Sequence, residues 1–229
     1  MIKFENEETE LAAMNGDIPI AAAFEVFLKA GQSPEILTYR CAEDIAREFA
    51  KKFSDDPLGN EALDFAASRF TDFYKNYGMM FDRESSGVIC EYYICDADRI
   101  SEYDRTAAKI CESGIEYPAA DGLSDGCTDD GLCSAVVKDG KTVAIAGVND
   151  FSDDSSAEVY VECAKAYRRR GYARCALSAL CEFLISEGKT VSYKTYADNI
   201  ASCRLAESAG FSESGRRMTA VGIRPDECE

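Results

Sequence analysis

Apolar residues recur along this chain with two different spacings. In the first third they fall at Leu37, Cys41, Ile45, Phe49 and Phe53, one in four, close to the helical repeat that stacks side chains into a stripe. Ser33-Pro34-Glu35 lies just ahead of that stripe. Its serine suits an N-cap and its proline a first turn, so a helix is expected to start there. Asp55-Asp56-Pro57-Leu58-Gly59-Asn60 breaks the pattern. A second stripe, Leu63, Ala66, Phe70, Phe73 and Tyr77, predicts another helix closed by Gly78. Residues 1–85 therefore read as a helical region whose aromatic stripes build a core.

The spacing changes from about residue 86. Val88, Ile89, Tyr92, Tyr93 and Ile94 suggest a strand within Ser86–Asp96, and residues 99–113 suggest a short helix ended by Gly114. The Asp- and Gly-rich stretch Asp121–Gly131 lacks EF-hand spacing and reads as a polar, turn-rich loop. Leu132–Lys138 and Thr142–Val148 flank Asp139-Gly140-Lys141, a hairpin with an Asp-Gly turn. A polar loop, Asn149–Ser156, leads into the alternating strand Glu158-Val-Tyr-Val-Glu-Cys163. A helical stripe follows at Ala173, Ala176, Leu177, Leu180 and Leu184 and stops at Gly188. Val191–Tyr196 reads as a strand, Asp198 or Asn199 caps a short helix closing at Gly210-Phe211, and a last strand or hairpin spans roughly 213–223. Strands alternating with helices in this order predict an α/β domain over residues 86–229.

Charge singles out one place. The 229 residues carry a formal net charge of -17, yet no acidic residue occurs between Cys163 and Cys181. That window holds Lys165, Arg168, Arg169, Arg170 and Arg174, at the junction of a strand and a helix. A helix N-terminus offers unpaired N–H groups and a positive dipole end, so phosphate is the expected guest. The acidic balance elsewhere speaks against nucleic acid as a partner and leans towards a cationic small molecule. Histidine is absent, which removes His-based triads, His metal sites and any His base. The 11 cysteines include no C-x-x-C pair, so they read as small buried apolar groups in a reducing compartment, with no metal site expected. The acidic start, MIKFENEETEL, resembles neither a signal nor a transit peptide, and no apolar run is long enough for a membrane span. A cytoplasmic protein without a membrane partner is expected.

Arg168-Arg169-Arg170-Gly171-Tyr172-Ala173 fits the Gln/Arg-x-x-Gly-x-Gly/Ala pyrophosphate loop of the GNAT acetyltransferases. The order around it agrees: hairpin, strand, motif, helix, strand, then Asn199-Ile-Ala-Ser-Cys-Arg-Leu-Ala-Glu-Ser-Ala-Gly-Phe211, which looks like that family's Asn-to-Gly-Phe helix. Residues 132–223 thus resemble a GNAT domain, and the resemblance reaches back to about residue 86 if Ser86–Gly114 supplies the first strand and helix. The fold implied is the GNAT acyl-CoA N-acyltransferase α/β fold, with a mixed central sheet flanked by helices. Acetyl-CoA is the implied cosubstrate. Physically, Gly171 allows close approach of a pyrophosphate, and Ala173 avoids crowding at the first turn. By resemblance, Val161, Glu162 and Cys163 pair through their backbones with the pantetheine arm, as an added strand would. Asn199 binds the arm from the other side, besides capping its helix.

The family base is often a glutamate on the strand before the motif. Glu158, Tyr160 and Glu162 alternate and share one strand face, so Glu158 is the expected base and Glu162 its reserve. The usual acid, a tyrosine one turn before the Gly-Phe, is replaced here by Ala206. Tyr196, Tyr160 and Cys203 are the substitutes the sequence offers, Tyr196 first, unless water protonates the thiolate. The reading implied is an N-acetyltransferase carrying acetyl from acetyl-CoA to a primary amine of a small acceptor by direct transfer in a ternary complex. The alternative is a non-catalytic acyl-CoA-binding or sensing module acting through its N-terminal helices. Those helices are expected to wall the acceptor pocket, to support the second domain, or to mediate a homodimer.

Overall fold

The computed structural model describes residues 1–111, 117–123, 131–149 and 155–225. In chain order the elements are β1 (Ile2–Phe4), α1 (Glu7–Asn15), β2 (Ile20–Leu28), β3 (Glu35–Thr38), α2 (Glu43–Lys52), α3 (Asn60–Lys75), β4 (Met80–Ile94) and β5 (Ala108–Cys111). They continue as β6 (Cys133–Lys138), β7 (Lys141–Val148), β8 (Ser156–Cys163), α4 (Tyr172–Ser186), β9 (Thr190–Tyr196), α5 (Ile200–Ala209) and β10 (Ser212–Ile223). The described chain is a mixed α/β fold that forms two compact units. The first comprises Met1–Cys90, Tyr196–Asp198 and the chain from Gly215; the second comprises Glu91–Thr195 and Asn199–Ser214.

The first unit has strand order β1-β3-β2-β10-β4. β1 runs parallel to β3, while β2 is antiparallel to both β3 and β10. Two helices, α2 and α3, form over the two predicted stripes, but residues 1–85 also hold α1, β1, β2, β3 and the start of β4, which the stripes do not predict. Ser33-Pro34-Glu35 starts no helix: Glu35–Thr38 pairs with β1 on one side and β2 on the other, and the helix begins only at Glu43. Long-range pairing overrode a local cap signal. The helical stripes do build a core. Phe24 of β2 lies 5.0 Å from both Phe49 of α2 and Phe70 of α3, centroid to centroid, and Phe53, Phe65, Phe73 and Tyr77 extend the cluster. Tyr74 closes it: its Oη accepts from the Ala23 N–H at 2.8 Å and lies 2.7 and 3.0 Å from the carbonyls of Ala220 and Ala21. Its ring lies against Gly222, where a Cβ would come within 2.5 Å of it.

The second unit has strand order β4-β9-β8-β7-β6-β5. β5 to β8 form an antiparallel run, and β8 pairs with β9 in parallel. The expected hairpin is present. Asp139 (φ 51) and Gly140 (φ 72) both adopt the left-handed conformation that a tight Asp-Gly turn requires. The core of this unit is largely aliphatic, with Val136, Val143, Ile145, Leu177, Leu180 and Leu184 all buried, and Tyr193 and Phe211 add a pair of aromatic rings. No helix covers the described part of residues 99–113. A short 3₁₀ turn at Ala97–Arg99, an irregular stretch and β5 stand there, because Ala108–Cys111 pairs with Cys133–Val136. Gly114, residues 124–130 of the Asp-Gly loop and residues 150–154 of the second polar loop lie outside the described residues. Among the described residues no helix is long and apolar enough to cross a membrane.

Candidate active site

The site lies in the second unit, where β8 and β9 part. Their parallel pairing covers only Ser156–Glu158 against Thr190–Ser192. Beyond that rung, among the described residues, β8 continues its pairing with β7. The Asn149 N–H donates to the Glu158 carbonyl at 2.8 Å, and the Ala164 N–H donates to the Val143 carbonyl at 2.9 Å. In an antiparallel ladder the residues between must alternate. Glu158, Tyr160 and Glu162 therefore turn their backbone polar groups to β7, while Val161 and Cys163 turn theirs to the edge that β9 has left. This corrects one expectation. Of Val161, Glu162 and Cys163, only Val161 and Cys163 can offer backbone bonds to an added strand there, since those of Glu162 face β7.

The basic loop closes the end of β8. A 3₁₀ turn, Lys165–Tyr167, leads to Arg168, whose Nε donates to the Cys163 carbonyl at 3.0 Å. Arg169 (φ 61) and Gly171 (φ 82) are both left-handed. For an arginine that conformation costs about 1 kcal/mol or more, a strain that concentrates at functional loops. Gly171 is the N-cap of α4 and brings no capping side chain, and the first turn holds no acidic residue. The first intrahelical bond runs from the Cys175 N–H to the Gly171 carbonyl, so the N–H groups of Tyr172, Ala173 and Arg174 have no acceptor within the helix. A Cβ on Gly171 would meet nothing within 4 Å, so the backbone is open on that side. The Arg170 guanidinium lies 5.6 Å from the Tyr167 ring centre, and the Lys138 ammonium 5.4 Å from that of Tyr172. Arg174 Nε is buried without a hydrogen-bond partner. The Cys163 thiol stands beside the start of α4. Burial raises its pKa against the opposing pull of Arg168 and the Ala173 N–H. Cationic side chains, helix-start N–H groups such as those of Tyr172 and Arg174, and room at Gly171 together suit a pyrophosphate.

The expected catalytic groups fall in different places. Glu158 stands on the last paired rung, opposite Ser192. Its Oε2 meets the Lys194 Nζ at 2.5 Å, and its Oε1 accepts from Asn149 Nδ2 at 2.9 Å. Glu162 is half-buried two residues beyond Tyr160, on the same strand face as Glu158. The Tyr160 ring crosses to β7, where a Cβ on Gly147 would lie 2.4 Å from its hydroxyl. Tyr196 belongs to the first unit, where its hydroxyl donates to the Glu84 carbonyl at 2.8 Å. Burial, aided by Asp82 and Asp198, raises its pKa. Asn199 is the N-cap of α5, its Oδ1 accepting from the Ser202 N–H at 3.2 Å. Ala206 is fully buried, so the usual tyrosine position faces the core in this chain. Gly210 has no substitute, because a Cβ there would lie 1.9 Å from the Arg99 carbonyl oxygen.

Three groups escaped the sequence reading. Lys194 and Asn149 grip the Glu158 carboxylate, and Tyr193 lies buried at the fork with Ser202 beside its hydroxyl. Alternation along Val191–Tyr196 does place Lys194 on the polar face of the strand, but only the β8–β9 register brings it to Glu158.

A parallel strand pair that forks beside an open, arginine-rich helix start defines an acyltransferase. The Acetyltransferase (GNAT) domain model matches residues 87–212, more than half of the chain, and the protein belongs to the GNAT acetyltransferase family. None of the curated proteins matches it. Among solved structures it is similar to a GNAT-family protein from Novosphingobium aromaticivorans, with 21% identity over 64% of this chain and 68% of the other, at a TM-score of 0.49. An N-acetyltransferase-like protein from Streptococcus suis shows 17% identity over 72% and 69%, with a TM-score of 0.43. A GNAT-family acetyltransferase from Colwellia psychrerythraea shows 15% identity over 66% and 62%, with a TM-score of 0.46. These likenesses concern the fold; membership of the family rests on the domain match.

Proposed function

We propose that the protein is an N-acetyltransferase that carries an acetyl group from acetyl-CoA to a primary amine of a small acceptor, by direct transfer within a ternary complex. The fork between β8 and β9 carries this reading. It leaves the Val161 and Cys163 backbones turned to an edge without β9, and it leads to the open N–H groups of α4. A pantetheine arm extends β8 as a strand would, and its pyrophosphate rests on the arginine loop. Glu158, at the apex of the fork, receives the proton that the attacking amine sheds. The balance of -17 favours a cationic acceptor.

Calorimetric titration with acetyl-CoA, followed by a screen of amine acceptors, tests the reading. Saturable micromolar binding is expected, and its absence at millimolar ligand would sink it. The variant Glu158→Gln separates binding from chemistry. Acetyl-CoA affinity should stay within about threefold, while turnover with the best amine should fall by at least about 100-fold. Turnover that survives would remove Glu158 from the role of base.

A further inference from the structure

The family tyrosine that returns a proton to the leaving thiolate is missing, and Ala206 at its position is fully buried. Tyr196, the foremost substitute read from the sequence, donates its hydroxyl hydrogen to the Glu84 carbonyl within the first unit. Another proton carrier stands at the apex of the fork. Lys194 lies two residues past Ser192, the last residue of β9 paired with β8. Alternation along a strand puts Ser192 and Lys194 on one face, the face on which Glu158 also stands. The two heads meet there, with Nζ and Oε2 2.5 Å apart. Glu158 is held from behind by Asn149 Nδ2 at 2.9 Å, so its carboxylate is fixed while the ammonium end is the more exposed partner, at 41% against 23%.

We propose that Lys194 is the acid of this acyltransferase, holding the developing thiolate and giving it a proton, with Glu158 as its partner in a closed proton cycle. The assignment rests on the acetyl-CoA reading above. The amine nitrogen attacks the thioester carbonyl carbon, the C–N bond forms, and the C–S bond breaks with its electron pair leaving on sulfur. Glu158 takes the proton lost by the amine nitrogen, and Lys194 gives one of its protons to sulfur. Glu158 and Lys194 are then both neutral, and one proton passing from Oε2 to Nζ restores the ion pair. Nothing is consumed beyond amine and thioester, and nothing forms beyond amide and thiol. A cation poised where negative charge develops also lowers the barrier before any proton moves.

The product complex with CoA tests this without an acceptor. An ammonium next to sulfur stabilises the thiolate, so the thiol of bound CoA should ionise at a pH lower than that of free CoA by about one unit or more, about tenfold in its ionisation constant. The ultraviolet absorbance of the thiolate, titrated against pH in the wild-type complex, reads this directly. Lys194→Gln should return the thiol to the behaviour of free CoA. Lys194→Arg, which preserves the charge, should retain most of the shift; assayed separately with acetyl-CoA and the best amine, it should lose turnover, since a guanidinium does not give up its proton. A bound thiol that ionises like the free one in the wild-type protein would overturn the assignment and leave the acetyl-CoA reading standing. A shift that persists in Lys194→Gln would overturn it as well. Absence of any CoA binding in calorimetry would bring down both together.

Discussion

The two units spend their polar groups differently. In the first, Tyr74 sits at the centre of an aromatic cluster and its single hydroxyl serves the backbones of Ala21, Ala23 and Ala220. In the second, the β8 edge loses its β9 partner after three residues, and the N-terminus of α4 has no capping side chain. An unmade bond costs stability unless something fills it. The first unit is thus organised for stability, and the second leaves bonding capacity that the proposed acetyl-CoA would fill.

Substitutions can break this contrast in either direction. Phe70 is fully buried against Phe24, Phe73 and Tyr74. Phe70→Ala should cost about 3–5 kcal/mol of unfolding free energy, read in denaturant melts. Gly171→Glu should act the other way. Its left-handed φ adds about 1 kcal/mol of strain, but the new carboxylate occupies the open side of the loop and repels phosphate. Acetyl-CoA affinity should fall by at least about 100-fold, about 2.7 kcal/mol, with a melting temperature lowered by only a few degrees. If the Gly171 variant loses stability and keeps its affinity, the contrast fails. Tyr74→Phe sharpens it at a finer scale. Loss of one hydroxyl strands the Ala23 N–H, for about 1–3 kcal/mol in the same melts.

The smallest expected effect is at Glu10. Its buried carboxylate accepts from the N–H groups of Arg40 and Cys41, both at 2.9 Å. Burial by itself would raise its pKa, but the hydrogen bonds from Cys41 and Arg40 outweigh it, and the folded value lies below the ordinary one. A depressed folded pKa gives stability that is complete above the unfolded value of about 4.3 and fades as the pH falls through the folded value. The stability difference between the wild type and Glu10→Gln should therefore shrink between about pH 4.3 and lower pH, in melts followed across that range. A difference that does not change with pH would remove the carboxylate from this role.

What could be read ahead of the structure was local. The Asp139-Gly140 turn, the stripe of α4, the loop Arg168–Ala173 and the Asn199 cap each depend on neighbours in the chain, and each formed as expected. β3 could not be read that way. Ile36 and Thr38 are held by strands at Ile2–Phe4 and Ile20–Leu28, and neither pairing leaves a mark near Pro34. The site divided along the same line. Arginines and glycine showed themselves by spacing, whereas the Lys194–Glu158 contact depends on a register between strands 36 residues apart. Likewise, the ladder to β7 decides which of Val161, Glu162 and Cys163 faces the open edge.

One feature of the chain path bears on how such a protein can change over generations. The matched domain begins at Gly87, inside β4, and ends at Ser212, the first residue of β10. Both strands run on into the other unit. A gene fragment covering only the matched stretch would encode half of one strand and almost none of another. Recombination at those points would keep nearly all of the second unit and discard most of the first, whose residues lie on both sides of the match and within it at Tyr196–Asp198, so a single splice could not add or remove that unit whole.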